Sequence, residues 1–411
     1  MIIRFLFLVF MVPLYSHLVV AESWLDDINS KGYARVNYQE RSTQVEHDEP
    51  GLREQLDARF ELDWSHDNFK LDTISYLKYR PQYSDSEESV KDDMQLDADL
   101  REWIANYEAG NWLYKLGRQQ VAWGKGDYFR IVDVINPLDL RDGLLTYIDD
   151  YSLGRQPRNM LVVEHYQGDM EIQFITAFEH KQTHYAPDNS DFSIDAYPQN
   201  TQIETQDLSP DVGMRMRWFL DGADLDIYAF DGYDPDAKFS INGNSELTGE
   251  LVRRQLVALS FAKPIDIGVL RSDIAYYPKE TLQLSADYDT IKKIDALVGL
   301  DVQENEWTFN LQGAISQYLD VDETYDSNDR ITSASVFVEK QWSRLRLTSS
   351  VLCLYNYQDA SSTLLKFLVR YDWFNNSTIE GGVINFDGSE SSLHGMYDDQ
   401  DRVYVAMKYS F

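Results

Sequence analysis

Glu54-Gln55-Leu56-Asp57-Ala58-Arg59-Phe60-Glu61-Leu62-Asp63-Trp64 is the stretch on which the fold turns. Leu56, Ala58, Phe60, Leu62 and Trp64 share one face of an extended chain, and Asp57, Arg59, Glu61 and Asp63 share the other, because successive side chains of a strand point to opposite sides. A period of two excludes a helix. Soluble sandwich and propeller strands alternate in the same way, so the decision rests on segment length and on the connections. Alternating segments of about ten to thirteen residues recur eighteen times between Lys31 and Phe411. Soluble strands usually run to about five or six residues, and ten-residue dyad segments mark membrane barrels. The connections are long after each odd segment and short after each even one, the short ones holding turn formers such as Gly110, Gly168-Asp169, Asp221-Gly222 and Asn375-Asn376. Outer-membrane barrels pair short periplasmic turns with long external loops. The fold class predicted is therefore all-β: a transmembrane antiparallel β-barrel of about eighteen strands, range sixteen to eighteen, whose third extracellular loop folds inward.

Composition removes other classes. The chain of 411 residues is 43% hydrophobic and 13% aromatic, enough for an ordered structure. Its 69 acidic residues against 37 basic ones give a formal charge of −32, and such a surface repels phosphate backbones, so no nucleic-acid partner is expected. Cys353 is the single cysteine, which leaves no intrachain disulfide and no thiolate metal site. No metal or cofactor is expected. Residues 1–21 hold Arg4, an apolar run from Phe5 to Tyr15, and Val19 and Ala21 before Glu22. That pattern fits a cleaved export signal better than an N-terminal anchor, since the run falls short of the ~20 residues that span a bilayer as a helix. The predicted organisation is a signal over 1–21, a periplasmic segment over 22–30 and one barrel domain over 31–411. The expected location is the bacterial outer membrane, with its lipid and lipopolysaccharide as surroundings and a homo-oligomer as a further candidate assembly.

The nine long connections carry −27 of the −33 that remains after the signal. Residues 84–93 and 320–329 are the densest acidic runs; clustered oxygens suit Ca²⁺ or Mg²⁺, but no calcium-loop spacing is present and a solvated loop explains them more simply. Strand charges come in both signs, including Lys78, Arg346, Lys366, Arg370 and Lys408 with Asp57, Glu61, Asp226 and Asp273. A cation facing lipid at mid-depth costs about 2–4 kcal/mol, so these side chains are expected to line a polar lumen of mixed charge.

The third connection, Trp123 to Pro157, is thirty-five residues long and too apolar to stand in water, with Tyr128, Phe129, Ile131, Val132, Val134, Ile135, Leu138, Leu144, Leu145 and Ile148. Its position is that of the constriction loop of general porins. Gly124 and Gly126 permit an inward turn. Asn136-Pro137 fits a turn or helix start, with Asp139 placed to cap the amides that follow. Arg118, Lys125, Arg130, Asp133, Asp139, Arg141, Asp142, Asp149 and Asp150 are the candidate channel-lining or constriction residues. They either bind the loop to the wall or select the solute. Asp133 and Asp139 are expected at a mixed-sign eyelet, and loss of Asp127 to Asp150 is expected to leave the barrel assembled.

Leu100-Arg101-Glu102, Gly117-Arg118-Gln119, Trp123-Gly124, Asp133-Val134-Ile135-Asn136-Pro137, Asp139-Leu140-Arg141 and Arg155 through Met160 form a recognisable set over residues 97–165. It resembles a family of Gram-negative outer-membrane proteins catalogued as a domain of unknown function, porin-like and often found beside RND-type exporters. The final strand, with Val403, Val405, Met407, Tyr409 and Phe411 on one face, likewise resembles the C-terminal strand that addresses outer-membrane proteins to the barrel-insertion machinery. What these resemblances and the polar lumen imply is a porin-like channel for passive passage of small polar solutes. The alternative is an exit portal or partner of an RND-type exporter for lipidic or hydrophobic molecules. No enzyme is expected: no Ser-centred GxSxG motif occurs, and His180 and His184, four residues apart, fall at a strand end and in a loop.

Overall fold

A computed structural model describes residues 28–41, 52–194, 201, 203–204, 209–241, 246–284, 287–319 and 329–411. The export signal over 1–21, residues 22–27 of the segment after it and 320–328 of the second acidic run lie outside the described residues. The first half of the wall is β1 Ile28–Arg41, β2 Leu52–His66, β3 Phe69–Tyr79, β4 Leu96–Ala109, β5 Trp112–Gln119, β6 Arg158–Gln167, β7 Met170–Ala177, β8 Asp211–Leu220 and β9 Ala223–Tyr233. The second half is β10 Arg253–Ile265, β11 Gly268–Gln283, β12 Tyr288–Glu304, β13 Trp307–Leu319, β14 Arg330–Trp342, β15 Leu347–Tyr357, β16 Ser361–Phe374, β17 Ser377–Gly388 and β18 Arg402–Ser410. All eighteen form one sheet. β18 pairs back onto β1, from Tyr33 opposite Ser410 to Arg41 opposite Arg402, and the barrel closes. β1 starts at Ile28, so residues 28–30 belong to the wall and not to the segment before it.

The alternation sorts the faces as polarity requires. On β18, Val403, Val405, Met407 and Tyr409 are exposed outward, while Arg402, Tyr404 and Ala406 are buried inward. Trp64, Trp112, Trp218, Trp307, Trp342 and Trp373 all lie within a few residues of the short turns, forming an aromatic girdle at that end, as barrels do where wall meets headgroup. At the turns Gly110, Gly168 and Gly222 take φ of +62°, +58° and +68°, a region that costs glycine nothing. Arg346 also has positive φ, at +54°. It belongs to the turn before β15 and not, as the alternation suggested, to the inward strand charges, because the strand begins one residue later.

The wall is uneven in height. β5 and β7 have 8 residues each, β12 has 17. The pairing of β4 with β5 runs from Trp103 opposite Arg118 to Ala109 opposite Trp112. Leu96–Glu102 therefore pair with β3 alone, and across the missing edge the Arg118 guanidinium donates to the Leu100 carbonyl at 3.3 Å and to Asp99 at 2.6 and 2.9 Å.

Candidate functional site

After Gln119 the chain leaves the wall for the lumen and returns at Arg158. Asn136, fully buried, joins the two legs of this third loop. Its Oδ1 accepts from the Val121 amide at 2.8 Å, and its Nδ2 donates to the carbonyls of Gln156 at 2.8 Å and Gln119 at 3.4 Å. Asn136-Pro137 does not start a helix. Asp139–Leu144 is instead a strand, paired in parallel with His184–Tyr185 of the fourth loop, and only then come the short helices Leu145–Asp149 and Tyr151–Gly154.

The first half of the loop is core. Trp123, Ile131, Val132, Val134 and Ile135 pack against Met160, Val162, Ile175, Tyr228, Phe230, Leu256, Tyr277 and Leu297 on the inner faces of β6 to β12. That side of the lumen is apolar and filled. Charge fixes the same half in place. Lys125 meets the buried Asp226 at 2.9 Å, its amide and that of Gly126 donate to Asp273 at 2.8 and 3.0 Å, and Asp127 takes Arg271 and Gln312. Gly124 carries φ of +87°, and a Cβ there would come within 3.1 Å of Asp273, so only glycine admits this approach.

The second half faces a cavity of about 480 Å³ bounded by β1 to β3, β16 to β18 and the loop. Eight cations line it, Arg35, Arg53, Lys78, Arg80, Lys366, Arg370, Arg402 and Lys408, and every one belongs to the wall side. Eight acids answer them: Asp142, Asp149 and Asp150 from the third loop, Asp191 from the fourth, and Glu54, Asp57, Asp372 and Glu380 from the wall. Asp142 bridges Lys78 and Arg80 at 2.8 Å each, Asp149 takes Lys366, and Arg35 meets Glu380 at 2.6 Å. Burial alone would raise the Asp142 carboxyl, but Arg80 and Lys78 outweigh it and hold the group well below the usual carboxylate range. The contact stays charged throughout the mildly acidic range.

Of the nine candidate constriction residues, Asp142, Asp149 and Asp150 line the cavity. Asp133 is spent within the loop on Arg130 at 3.2 Å and Arg155 at 2.7 Å. Asp139 and Arg141 pair at 2.7 Å, and Arg141 also reaches Asp97 at 2.5 Å. Lys125 anchors the far side. Arg118 does not meet the loop's charges as the sequence suggested: it stands opposite Trp103 and Asn159 and pairs with Asp99. His180 and His184 turn to different carboxylates, Asp211 at 3.7 Å and Asp93 at 2.9 Å, and among the described residues no group of acids, His and Cys is placed to hold a metal. Sequence reading missed Arg35, Arg53, Arg80 and Arg402 on the wall, although the inward parity of Tyr33, Arg35, Asn37 and Gln39 on β1 was available as a signal.

The last loop adds a titratable part. His394, 2% exposed, sits in a turn in which its carbonyl accepts from the Tyr397 amide at 3.1 Å, and burial pushes its imidazole down from 6.5 to about 4. The unfolded loop takes up a proton below about 6.5 while the packed loop does not until about 4. Stability held above that window is lost as pH falls through it, by about 3 kcal/mol at its lower end. Protease nicking of residues 389–401 should rise between pH 7.5 and pH 4.5, and His394→Leu should flatten that rise.

Solved structures share this architecture. Pseudomonas aeruginosa OccK2 (OpdF) in complex with glucuronate aligns at TM-score 0.57 and 12% identity, over 95% of this chain and 99% of that one. A BenF-like porin from Pseudomonas fluorescens Pf-5 aligns at 0.57 and 10%, over 95% and 99%, and Pseudomonas aeruginosa OpdK with vanillate at 0.54 and 11%, over 95% and 100%. At such identities the likeness is one of fold. No curated protein matches by sequence. The family described as Protein of unknown function (DUF1302) matches residues 56–411, which takes in the inner loop and the barrel from Leu56 of β2 onward, and the chain belongs to that family.

Proposed function

We propose that the protein is an outer-membrane, porin-like channel for passive passage of small polar solutes. The observation that carries this reading is the cavity itself. It extends from Arg53 and Arg402 at the loop ends of β2 and β18 to Asp372 and Ser410 near the turns, so its lining spans the height of the wall. Wall cations face loop acids across it. A polar solute exchanges hydration for hydrogen bonds along such a path, and a carboxylate meets cations at several levels. Glucuronate and vanillate, the ligands of two structures that share the fold, are both carboxylates. The exit-portal reading requires an apolar track, and this lining is dominated by charged and polar side chains.

Planar-bilayer recording of the pure protein tests the proposal: ohmic channels are expected, and their absence would sink it. Asp149→Asn with Asp150→Asn should move ion preference toward anions, read as a shift in zero-current potential across a KCl gradient. Asp133→Asn should leave that potential where it was, because Asp133 is enclosed by Arg130 and Arg155 away from the cavity.

A further inference from the structure

The fourth loop sends a short finger into the loop end of the cavity. Residues 186–193 form a loop closed by a parallel bridge between Ala186 and Ser193 and by the Ser190 hydroxyl donating to the Pro187 carbonyl at 2.6 Å. At its tip Asp191 accepts two bonds from Arg53 of β2, Nε at 2.8 Å and Nη at 2.7 Å, with both side chains 10% exposed. Phe192 beside it packs edge-on to Tyr397 and Phe386, with ring centres 5.4 and 6.4 Å apart, and the Arg402 guanidinium lies 4.5 Å from its centroid. Gly143 makes the room, since a Cβ there would stand 2.9 Å from the Phe192 ring. Two of the wall cations at this end of the cavity are thus covered by one finger, Arg53 by a carboxylate and Arg402 by an aromatic face.

We infer that Asp191-Phe192 is a displaceable counter-ligand that sets specificity, and that an entering solute carboxylate takes the place of Asp191 on Arg53. The inference rests on the channel reading and names the class of solute the site prefers. A two-point guanidinium–carboxylate pair is geometrically selective. A carboxylate solute rebuilds it with the same atoms, so the exchange is near balance. A neutral solute of the same size moves the finger and leaves a largely buried guanidinium without Asp191, which is costly. Phe192 moves with Asp191 because the bridge at 186–193 makes the tip one unit.

The test uses the full protein in planar bilayers in KCl, with benzoate and the neutral, similarly sized benzamide as blockers, and heat-modifiable gel migration as the check on folding. Wild type should be half-blocked by benzoate well below the benzamide concentration. Asp191→Asn keeps the shape and weakens the competitor, and should lower the half-blocking benzoate concentration about tenfold, equivalent to about 1.4 kcal/mol, with benzamide little changed. Arg53→Gln should bring the two blockers together. Phe192→Ala should raise open-channel conductance in plain KCl. Unchanged blocker ratios in both Asp191→Asn and Arg53→Gln, in channels that conduct, would overturn the inference alone. Wild type without ohmic conductance would remove the channel reading and this inference with it.

Discussion

Replacing Leu145–Leu153 by a short Gly-Ser linker should raise single-channel conductance several-fold while the barrel still assembles. The excised piece holds Asp149 and Asp150, which reach Lys366 and Arg59, and Leu145 and Leu153, which line the cavity beside them. The anchored half, from Trp123 to Ile135, stays in place with its wall partners. An eighteen-stranded wall encloses an aqueous channel unless something fills it, so losing the filler widens the path directly. Excision of Asp127 to Asp150 should behave otherwise, against the sequence-based expectation. It strips Met160, Val162, Tyr228, Phe230 and Leu297 of their cover, and an apolar lumen wall open to water favours misassembly. Conductance and heat-modifiable migration, measured together on the two excisions, separate these outcomes.

Asn136→Ala should be among the most damaging single substitutions in the loop. It leaves the Val121 amide and the Gln156 carbonyl without the partners they have in a fully buried place. Each orphaned group costs about 1–3 kcal/mol, so the sum is about 2–6 kcal/mol. The two legs of the loop then lose the tie that holds them together. The expected readouts are a lower melting temperature in detergent and noisy, enlarged channels. Asn136→Asp keeps the acceptor for Val121 but sets a buried carboxylate oxygen against the Gln156 carbonyl, and should be no milder than alanine. Asp150→Ala is the milder comparison, about 1 kcal/mol, since it removes the cap that its carboxylate makes to the Ser152 amide at 2.9 Å and a 3.8 Å contact with Arg59 at a side chain that is 38% exposed.

The wall was legible because strands and turns write themselves locally: alternation at Glu54 to Trp64, glycine and asparagine between segments, apolar residues outward on the last strand. The inward fold of the third loop was legible for a similar reason, since a run holding Trp123, Ile131, Val132, Val134 and Ile135 has to be covered. Which charges would reach the cavity was not. Arg130 and Asp133 satisfy each other three residues apart, and Asp139 and Arg141 sit on one side of a short strand, choices made by the path of the loop and by nothing in its composition. Arg118 was misplaced because it shares the parity of Trp112, Tyr114 and Leu116, which are exposed outward, and so meets Asp99 and not the loop. Asp191 and Phe192 were hidden in a loop whose acidity suggested solvent. Their burial depends on Arg53 and Gly143, far away in sequence, meeting them in space.

One edge of the wall also has a bearing on how the barrel opens and exchanges. Over Leu96–Glu102, β4 has backbone partners on β3 alone, and the other side is stitched by side chains, Arg118 to Asp99 and Gln120 to Glu102. Main-chain ladders give a closed barrel its slow amide exchange, and a side-chain seam releases its amides without any strand separating. The upper part of β4 should then take up deuterium earlier than its lower part, which is paired on both sides. The upper part is also a place where a pulling force would find a sheet edge held by side chains alone.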